Sequence, residues 1–146
     1  MTKDDASIFK LWESVEKRQS EPYKDAKGNV FWWVGGMRSR EDGPAIEWAN
    51  GTKEWWLNGK RHREGAPAKI YYDGRKEWWL NGNLHNVNGP AAEYPDGSVK
   101  WYINDKNFTD MYAWAEAALK YQGNENPSED EVEQKVVDAL AQDILN

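Results

Sequence analysis

The sequence has no cysteine, only two histidines and no long apolar run. The absence of cysteine excludes disulfides, thiolate metal sites and a cysteine nucleophile. No segment approaches the roughly 20 apolar residues that a membrane-spanning helix needs, so we expect no membrane association. The first residues lack the basic and then apolar pattern of a secretory signal, which predicts a cytoplasmic protein. We also expect no metal and no other cofactor.

Tryptophan, in contrast, is abundant, with 10 among the 146 residues. The hexapeptide EWWLNG occurs at 54–59 and again at 77–82, an offset of 23 residues. The same offset relates Asn-Gly or Asp-Gly dipeptides, Pro-Ala pairs and Trp-Trp pairs along the chain. Four units, degenerate at both ends, cover residues 23–108. This pattern indicates a repeat protein whose terminal units are capped instead of stacked.

Each unit contains turn signals between aromatic-rich segments. Dipeptides such as Asn50-Gly51 and Asp73-Gly74 favour tight hairpin turns, because both residue types tolerate positive φ. The intervening segments are rich in Trp, Tyr, Ile and Val, which favour strands. The repeats therefore predict one antiparallel meander with two strands per unit.

Period-2 alternation sorts the strand side chains onto two faces. If Asn50-Gly51 forms a two-residue loop, Trp48 faces Lys53 and Ile46 faces Trp55, all on one side. That side is predicted to be a dry core face, with Trp32, Trp55, Trp78, Trp101, Leu57, Leu80 and Ile103. The other side is predicted to hold an aromatic ladder with carboxylates: Trp33, Trp56, Trp79 and Tyr102, set opposite Ala45, Ala68 and Ala91, with Glu47, Glu54, Glu77 and Glu93. A register shift of one residue would exchange the faces.

Helical periodicity flanks the repeats on both sides. We predict an N-terminal helix within 1–22 and two C-terminal helices within 109–146. The apolar residues at helical spacing are Ile8, Leu11, Trp12 and Val15 in the first, Met111, Trp114, Ala115, Ala118 and Leu119 in the second, and Val132, Val136, Leu140 and Ile144 in the third. Ser128-x-x-Glu131 is a capping box for the third helix. The prediction is a single α+β domain, residues 1–146, in which these helices pack on the sheet and cover its dry face.

The string Trp56-Leu57-Asn58-Gly59-Lys60-Arg61-His62, followed by Gly65, resembles a MORN repeat, and residues 79–85 repeat the match. The sequence departs from the family where a glycine is expected after the histidine (Arg63 or Asn86) and in the aromatic strand (Glu54 or Glu77). These variant units are similar to repeats in small uncharacterised proteins of tailed phages and in some bacterial proteins. The resemblance implies an antiparallel β-meander of about four 23-residue MORN-like hairpin repeats, and a phage-encoded protein.

Two sets of titratable residues were weighed for chemistry. His62 and His85 occupy the same repeat position, which predicts a structural role, because a metal site needs three or four convergent ligands. Glu54 and Glu77 resemble the paired carboxylates of a glycosidase, with tryptophans as sugar platforms, so a carbohydrate-active enzyme is a third interpretation. Identical repeats, however, supply nearly identical environments, whereas catalytic carboxylates need different ones. We predict no catalytic residues and a chain that is not an enzyme.

Charge is unevenly distributed along the chain. Residues 24–106 hold 13 Lys and Arg against 11 Asp and Glu, whereas the remaining residues hold 6 against 14. Basic residues of the repeats are predicted to gather at one edge: Arg38, Arg40, Lys60, Arg61 and Arg63. Arginines beside aromatic rings are typical of proteins that bind nucleotides or single-stranded nucleic acid, which is our alternative function. A sequence pI near 5.0 disfavours a general affinity for phosphate.

The composition of the ladder favours a non-enzymatic protein–protein interaction module, because Trp, Tyr and Arg dominate binding hot spots. The predicted partner-binding residues are Trp33, Trp56, Trp79, Tyr102, Arg38, Arg40, Arg61 and Arg63. We expect a partner with apolar and basic groups over the ladder and acidic groups at the arginine edge. By resemblance, that partner is a bacterial host protein, a defence component among the candidates, which is bound and occluded in the host cytoplasm.

Overall fold

The computed structural model describes residues 21–145, with side chains described as far as Gln142. The N-terminal helix predicted within 1–22 falls on residues 1–20, which lie outside the described part, as does the side chain of Ile144. The described residues begin with short strands and end with two helices. The strands are β1 (Tyr23–Lys24), β2 (Val30–Phe31), β3 (Trp33–Val34), β4 (Met37–Arg38), β5 (Ile46–Glu47), β6 (Lys53–Glu54), β7 (Trp56–Leu57), β8 (Lys60–Arg61), β9 (Lys69–Ile70), β10 (Lys76–Glu77), β11 (Trp79–Leu80), β12 (Asn83–Leu84), β13 (Ala92–Glu93), β14 (Val99–Ile103) and β15 (Lys106–Phe108). The helices are α1 (Met111–Tyr121) and α2 (Glu129–Leu145).

One long antiparallel sheet runs through the described chain. Its nine strands follow the order β1-β2-β5-β6-β9-β10-β13-β14-β15, and the remaining strands form three separate hairpins, β3-β4, β7-β8 and β11-β12. The hairpins recur at the 23-residue interval seen in the sequence. The predicted α+β class, with a strand-rich antiparallel sheet followed by two C-terminal helices, is confirmed.

Each repeat changes its hydrogen-bonding partner at the first tryptophan of its Trp-Trp pair. The Trp55 N–H donates to the Ala68 carbonyl in the long sheet (2.7 Å), whereas the Trp55 carbonyl accepts from the His62 N–H in the side hairpin (3.0 Å). The same two bonds recur at Trp32 and Trp78. Every repeat therefore contributes two short strands to the sheet and then a hairpin that branches from it.

The loop at Asn50-Gly51 has three residues, so the predicted two-residue loop is wrong. Ile46 pairs with Glu54, and the Trp48 N–H donates to the Thr52 carbonyl (2.8 Å). Gly51 has φ of +96°, as expected where a left-handed residue closes a three-residue hairpin loop. The repeats at Asp73-Gly74 and Asp96-Gly97 follow the same pattern. The extra residue shifts the register of the preceding strand by one.

This shift moves one strand of each repeat to the other face. Ile46 and Trp48 lie on the side of Glu54, not of Trp55, and the Trp48 indole N–H bonds to the Glu54 carboxylate. The alternation within the tryptophan-bearing strands is as predicted. Two sets are misplaced by the sequence analysis: Ala45, Ala68 and Ala91, which adjoin Trp32, Trp55 and Trp78, and Glu47 and Glu93, which lie on the side of these same tryptophans.

The two helices begin where the sequence predicts. Asp110 caps α1, because its Oδ1 accepts from the Tyr112 N–H (2.9 Å). The capping box of α2 is confirmed: the Glu131 N–H donates to Ser128 Oγ (3.2 Å), and the Ser128 N–H donates to Glu131 Oε2 (2.8 Å). In α2 the buried contact is made by Val136 and Ala139, whereas Leu140, predicted to be buried, is 45% exposed.

The helices cover only the C-terminal end of the sheet. Trp114, which is fully buried, packs edge-on against Trp101 with 4.7 Å between ring centroids. Ile103, Ala118 and Val136 complete this cluster. Trp32, Trp55 and Trp78 are only half-buried, so the prediction of a continuous dry face is wrong for the described chain. We call the side of Trp32, Trp55, Trp78 and Trp101 the helix face, and the side of Trp33, Trp56, Trp79 and Tyr102 the ladder face.

Candidate functional site

The ladder face repeats one arrangement of aromatic rings along the sheet. Trp33, Trp56 and Trp79 stand at the start of the three side hairpins, and Tyr102 takes the equivalent place in β14. All four side chains are half-buried, with neither α1 nor α2 over them. Their positions recur at 23 residues, so neighbouring rings stand one repeat apart. The face is therefore a row of partly exposed aromatic rings on a regular backbone.

A buried carboxylate lies beneath the middle of this row. Glu54 is 3% exposed and is contacted by four donors. Its Oε1 accepts from Trp48 Nε1 (2.8 Å) and lies 3.2 Å from Lys69 Nζ. Its Oε2 accepts from Trp56 Nε1 (3.0 Å) and Arg61 Nη2 (2.9 Å). The sequence analysis placed this glutamate at an exposed position, which the structure contradicts.

The donors around Glu54 decide its ionisation. Burial by itself raises the pKa of Glu54, but the hydrogen bonds from Arg61 and Trp48 and the charges of Arg61 and Lys69 outweigh burial. The pKa of Glu54 is therefore lowered from its ordinary value of 4.5. The carboxylate is a fixed anion that orients the Trp56 indole and the Arg61 guanidinium.

The next repeat builds a second carboxylate of the same kind. Glu77 is 4% exposed, and its Oε2 accepts from Trp79 Nε1 (3.0 Å). Its Oε1 accepts from Tyr71 Oη (3.3 Å) and from Arg75 Nη2. Tyr71 and Arg75 thus do for Glu77 what Trp48 and Arg61 do for Glu54. The sequence analysis missed these bracing residues, although their 23-residue correspondence and the three-residue loop would have indicated them.

Arginine side chains fill the gaps between successive rings of the ladder face. The Arg61 guanidinium lies 5.0 Å from the Trp56 ring centroid and 4.7 Å from that of Trp79. Arg38 stacks in the same way on Phe31 (4.7 Å) and Trp33 (4.5 Å). Arg75 similarly contacts Tyr71 (4.8 Å) and Tyr94 (4.7 Å). These contacts are within the range of cation–π attraction and hold rings and guanidinium groups in alternation.

Positive charge dominates the ladder face once the register is known. The basic groups on it are Arg38, Arg61, Lys69, Arg75 and Lys100. The carboxylates on it are the buried Glu54 and Glu77. Glu47 and Glu93, which the sequence analysis placed here, lie on the helix face. The expected complement, a partner with basic groups over the ladder, is therefore wrong in sign.

Two of the predicted partner-binding residues, Arg40 and Arg63, lie on the helix face instead. Arg40 stacks over Trp32 at 4.0 Å and Arg63 over Trp55 at 3.9 Å, measured from the guanidinium carbon to the ring centroid. Each also clamps the loop that follows it: Arg40 Nη1 donates to the Pro44 carbonyl and Arg63 Nη1 to the Pro67 carbonyl, both at 3.1 Å. The structure thus separates Arg38 and Arg61 from Arg40 and Arg63.

The two histidines connect neighbouring repeats. His62 Nδ1 accepts from the Asn81 N–H (3.0 Å), and His85 Nδ1 accepts from the Asn104 N–H (3.1 Å), each in the hairpin turn of the following repeat. Burial lowers the pKa of His85, which is 6% exposed. Within the described residues, no group of three or more His, Cys, Asp or Glu side chains could hold a metal ion.

No family model, no curated protein and no solved structure matches this chain. Between residues 21 and 145, no helix is both long and apolar enough to cross a bilayer. The functional argument therefore depends on the geometry of the two faces.

Proposed function

We propose that the chain is a non-enzymatic protein–protein interaction module that binds its partner on the ladder face. The observation that carries this proposal is the row of half-exposed rings, each held by a buried carboxylate or a stacked arginine. Trp, Tyr and Arg are the residues most enriched in binding hot spots. Side chains already fixed before binding lose little conformational entropy in a complex, which favours affinity.

The bonding of Glu54 and Glu77 supports a role other than proton transfer. Both carboxylates are saturated by indole, phenol or guanidinium donors, and both stand in nearly the same surroundings. A glycosidase needs one carboxyl that stays protonated and one that is ionised, so their environments must differ. We therefore assign these residues to bracing the face, and the proposal does not include the carbohydrate-active enzyme.

A nucleotide or single-stranded nucleic acid is the second candidate ligand, and the excess of basic groups on the ladder face favours it. Single-strand binding combines such charge with rings on which bases stack. Against it, the ring faces of Trp56 and Trp79 already contact the Arg61 guanidinium. A base would have to displace that arginine from its bond to Glu54. A protein partner needs no such displacement, so we favour it.

The biological setting of the proposal rests on the MORN-like resemblance of the repeats alone. It suggests a phage-encoded protein that binds and occludes a bacterial host protein, such as a defence component, in the host cytoplasm. Such an assignment is an analogy between repeat sequences, because fold does not determine function.

The test is affinity capture from bacterial lysate with three immobilised proteins: wild type, Trp56→Ala/Trp79→Ala and Tyr72→Ala. Tyr72 is 69% exposed and lies in a turn beside the ladder face, so its removal is a matched loss of an exposed ring. We expect a protein that wild type and Tyr72→Ala retain and the double variant loses, unchanged by nuclease treatment. Capture that is equal for all three would contradict the use of this face, and release by nuclease would support the nucleic-acid alternative.

A further inference from the structure

The helix face contains one tryptophan whose ring lacks the covering group that its counterparts have. Arg40 stacks over Trp32, Arg63 over Trp55, and Trp114 packs against Trp101. Trp78 occupies the same repeat position as these rings. In the part of the chain that the structure describes, no ring and no cation stacks on Trp78.

The reason lies in one residue of the repeat. The position of Arg40 and Arg63 is taken by Asn86 in the third unit. Asn86 keeps the loop clamp, because its Nδ2 donates to the Pro90 carbonyl (2.9 Å) as the two arginines do in their own loops. Its backbone also keeps the equivalent bond, since the Asn86 N–H donates to the Tyr102 carbonyl as the Arg63 N–H does to Trp79. The short amide side chain supplies no guanidinium to the ring.

The space left over Trp78 is a cavity of about 560 Å³. Trp78, Leu80 and Asn86 line it from the sheet, and Tyr121 and Ala139 line it from the helices. The carboxylate-bearing residues Glu64 and Glu93 line it as well. The basic residue in its lining, Arg63, has its guanidinium over Trp55. The cavity thus combines an indole ring with an excess of negative charge.

We infer that this cavity binds an arginine side chain from a protein partner, whose guanidinium stacks on Trp78. The same fold shows the ligand chemistry twice, since Arg40 and Arg63 place this group on the equivalent rings. Glu93 and Glu64 supply the complementary charge. The cavity is larger than one guanidinium needs, so residues on either side of the arginine also fit. This site is on the face opposite the ladder and does not depend on the function proposed above.

The test uses the peptide acetyl-Gly-Arg-Gly-amide and its citrulline counterpart, which has nearly the same shape without the charge. Binding is followed by NMR at the tryptophan indole N–H groups, with Trp78→Phe identifying the Trp78 signal. We expect the arginine peptide to shift the Trp78 indole with a dissociation constant of about 1 mM, as befits a single stacked and ion-paired side chain. The citrulline peptide should leave the signal unmoved.

Two substitutions at one repeat position make the test specific. Asn86→Arg restores the covering arginine, so it should weaken peptide binding at Trp78 by at least about tenfold. Arg63→Asn should open the equivalent place over Trp55 and add a second shifting indole signal. Asn107→Arg, which adds the same charge at an exposed position in β15, is the control and should bind as wild type does.

Three results would overturn the inference. They are an unmoved Trp78 signal with the arginine peptide, equal shifts with the citrulline peptide, and undiminished binding in Asn86→Arg. A gain in peptide affinity in Arg18→Ala would also overturn it, because the site would then belong to an arginine of the chain's own N-terminal segment and not to a partner.

Discussion

Replacing Glu54 by glutamine should destabilise the protein far more than its conservative chemistry suggests. The amide keeps one oxygen as an acceptor but presents an NH₂ group to donors that now face a carboxylate. Arg61 and Lys69 would lose their counter-charge while remaining only 20% and 17% exposed. Hydrogen bonds to charged groups contribute about 1.5–3 kcal/mol each, and water reaches both cations in part. We therefore expect a loss of about 2–4 kcal/mol in the free energy of unfolding.

The assay is urea unfolding followed by tryptophan fluorescence, with linear extrapolation to water. Glu64→Gln is the matched control, because the Glu64 side chain is 86% exposed, and it should change stability by less than about 0.5 kcal/mol. A loss below about 0.5 kcal/mol in Glu54→Gln as well would refute the bracing role of this carboxylate.

The difference between wild type and Glu54→Gln should also depend on pH. The folded-state pKa of Glu54 is lowered from 4.5, so its contribution to stability is present above pH 4.5 and is lost as the pH falls through the folded-state value. The two unfolding free energies should therefore converge between pH 4.5 and about pH 2. A gap that stays constant over this range would show that the effect of the substitution is steric instead of electrostatic.

Two further substitutions test the helical end of the molecule. Trp114→Ala should cost about 3–5 kcal/mol of unfolding free energy because this fully buried ring fills the contact with Trp101, whereas Leu140→Ala, at a side chain that is 45% exposed, should cost less than about 1 kcal/mol; similar losses in urea titrations would contradict the packing described. Ser128→Ala should cost about 1 kcal/mol by removing the N-terminal cap of α2, and thermal unfolding by circular dichroism would detect it, an unchanged melting temperature arguing against the capping box.

The repeat period and the alternation within its strands were predictable from the sequence. An offset of 23 residues is visible in the identical hexapeptides, and alternation alone places Trp55 and Trp56 on opposite sides. The start of α2 was predictable for the same kind of reason, since a capping box involves residues three apart in the chain.

The register of the first strand in each repeat was not predictable. Asn-Gly fits a two-residue loop, and it equally fits a three-residue loop in which glycine is the left-handed residue. The difference of one residue decides whether Glu54 is beside Ile46 or across the sheet from it. Local sequence does not distinguish these loops, because the carboxylate network that rewards the observed register joins residues of different strands.

The absence of a dry face along the repeats has a further physical cause that composition hides. Arginine side chains can cover apolar rings with their stems and planar head groups while part of the group stays in water. Arg40 and Arg63 do this for Trp32 and Trp55, so these rings need no helix over them. A count of tryptophans suggested a core, but the arginines eight residues later provide the cover.

The most direct test of the account is the affinity of the captured partner for three variants, measured by titration calorimetry. Trp56→Ala/Trp79→Ala should weaken binding by more than about 2 kcal/mol, the hot-spot scale. Arg63→Ala, on the helix face, should change it by less than about 0.5 kcal/mol. Arg61→Ala should weaken binding and reduce its dependence on salt, because the proposed face is basic. Equal affinities for wild type and the Trp56/Trp79 variant, with both proteins folded, would contradict the assignment of the ladder face as the binding surface.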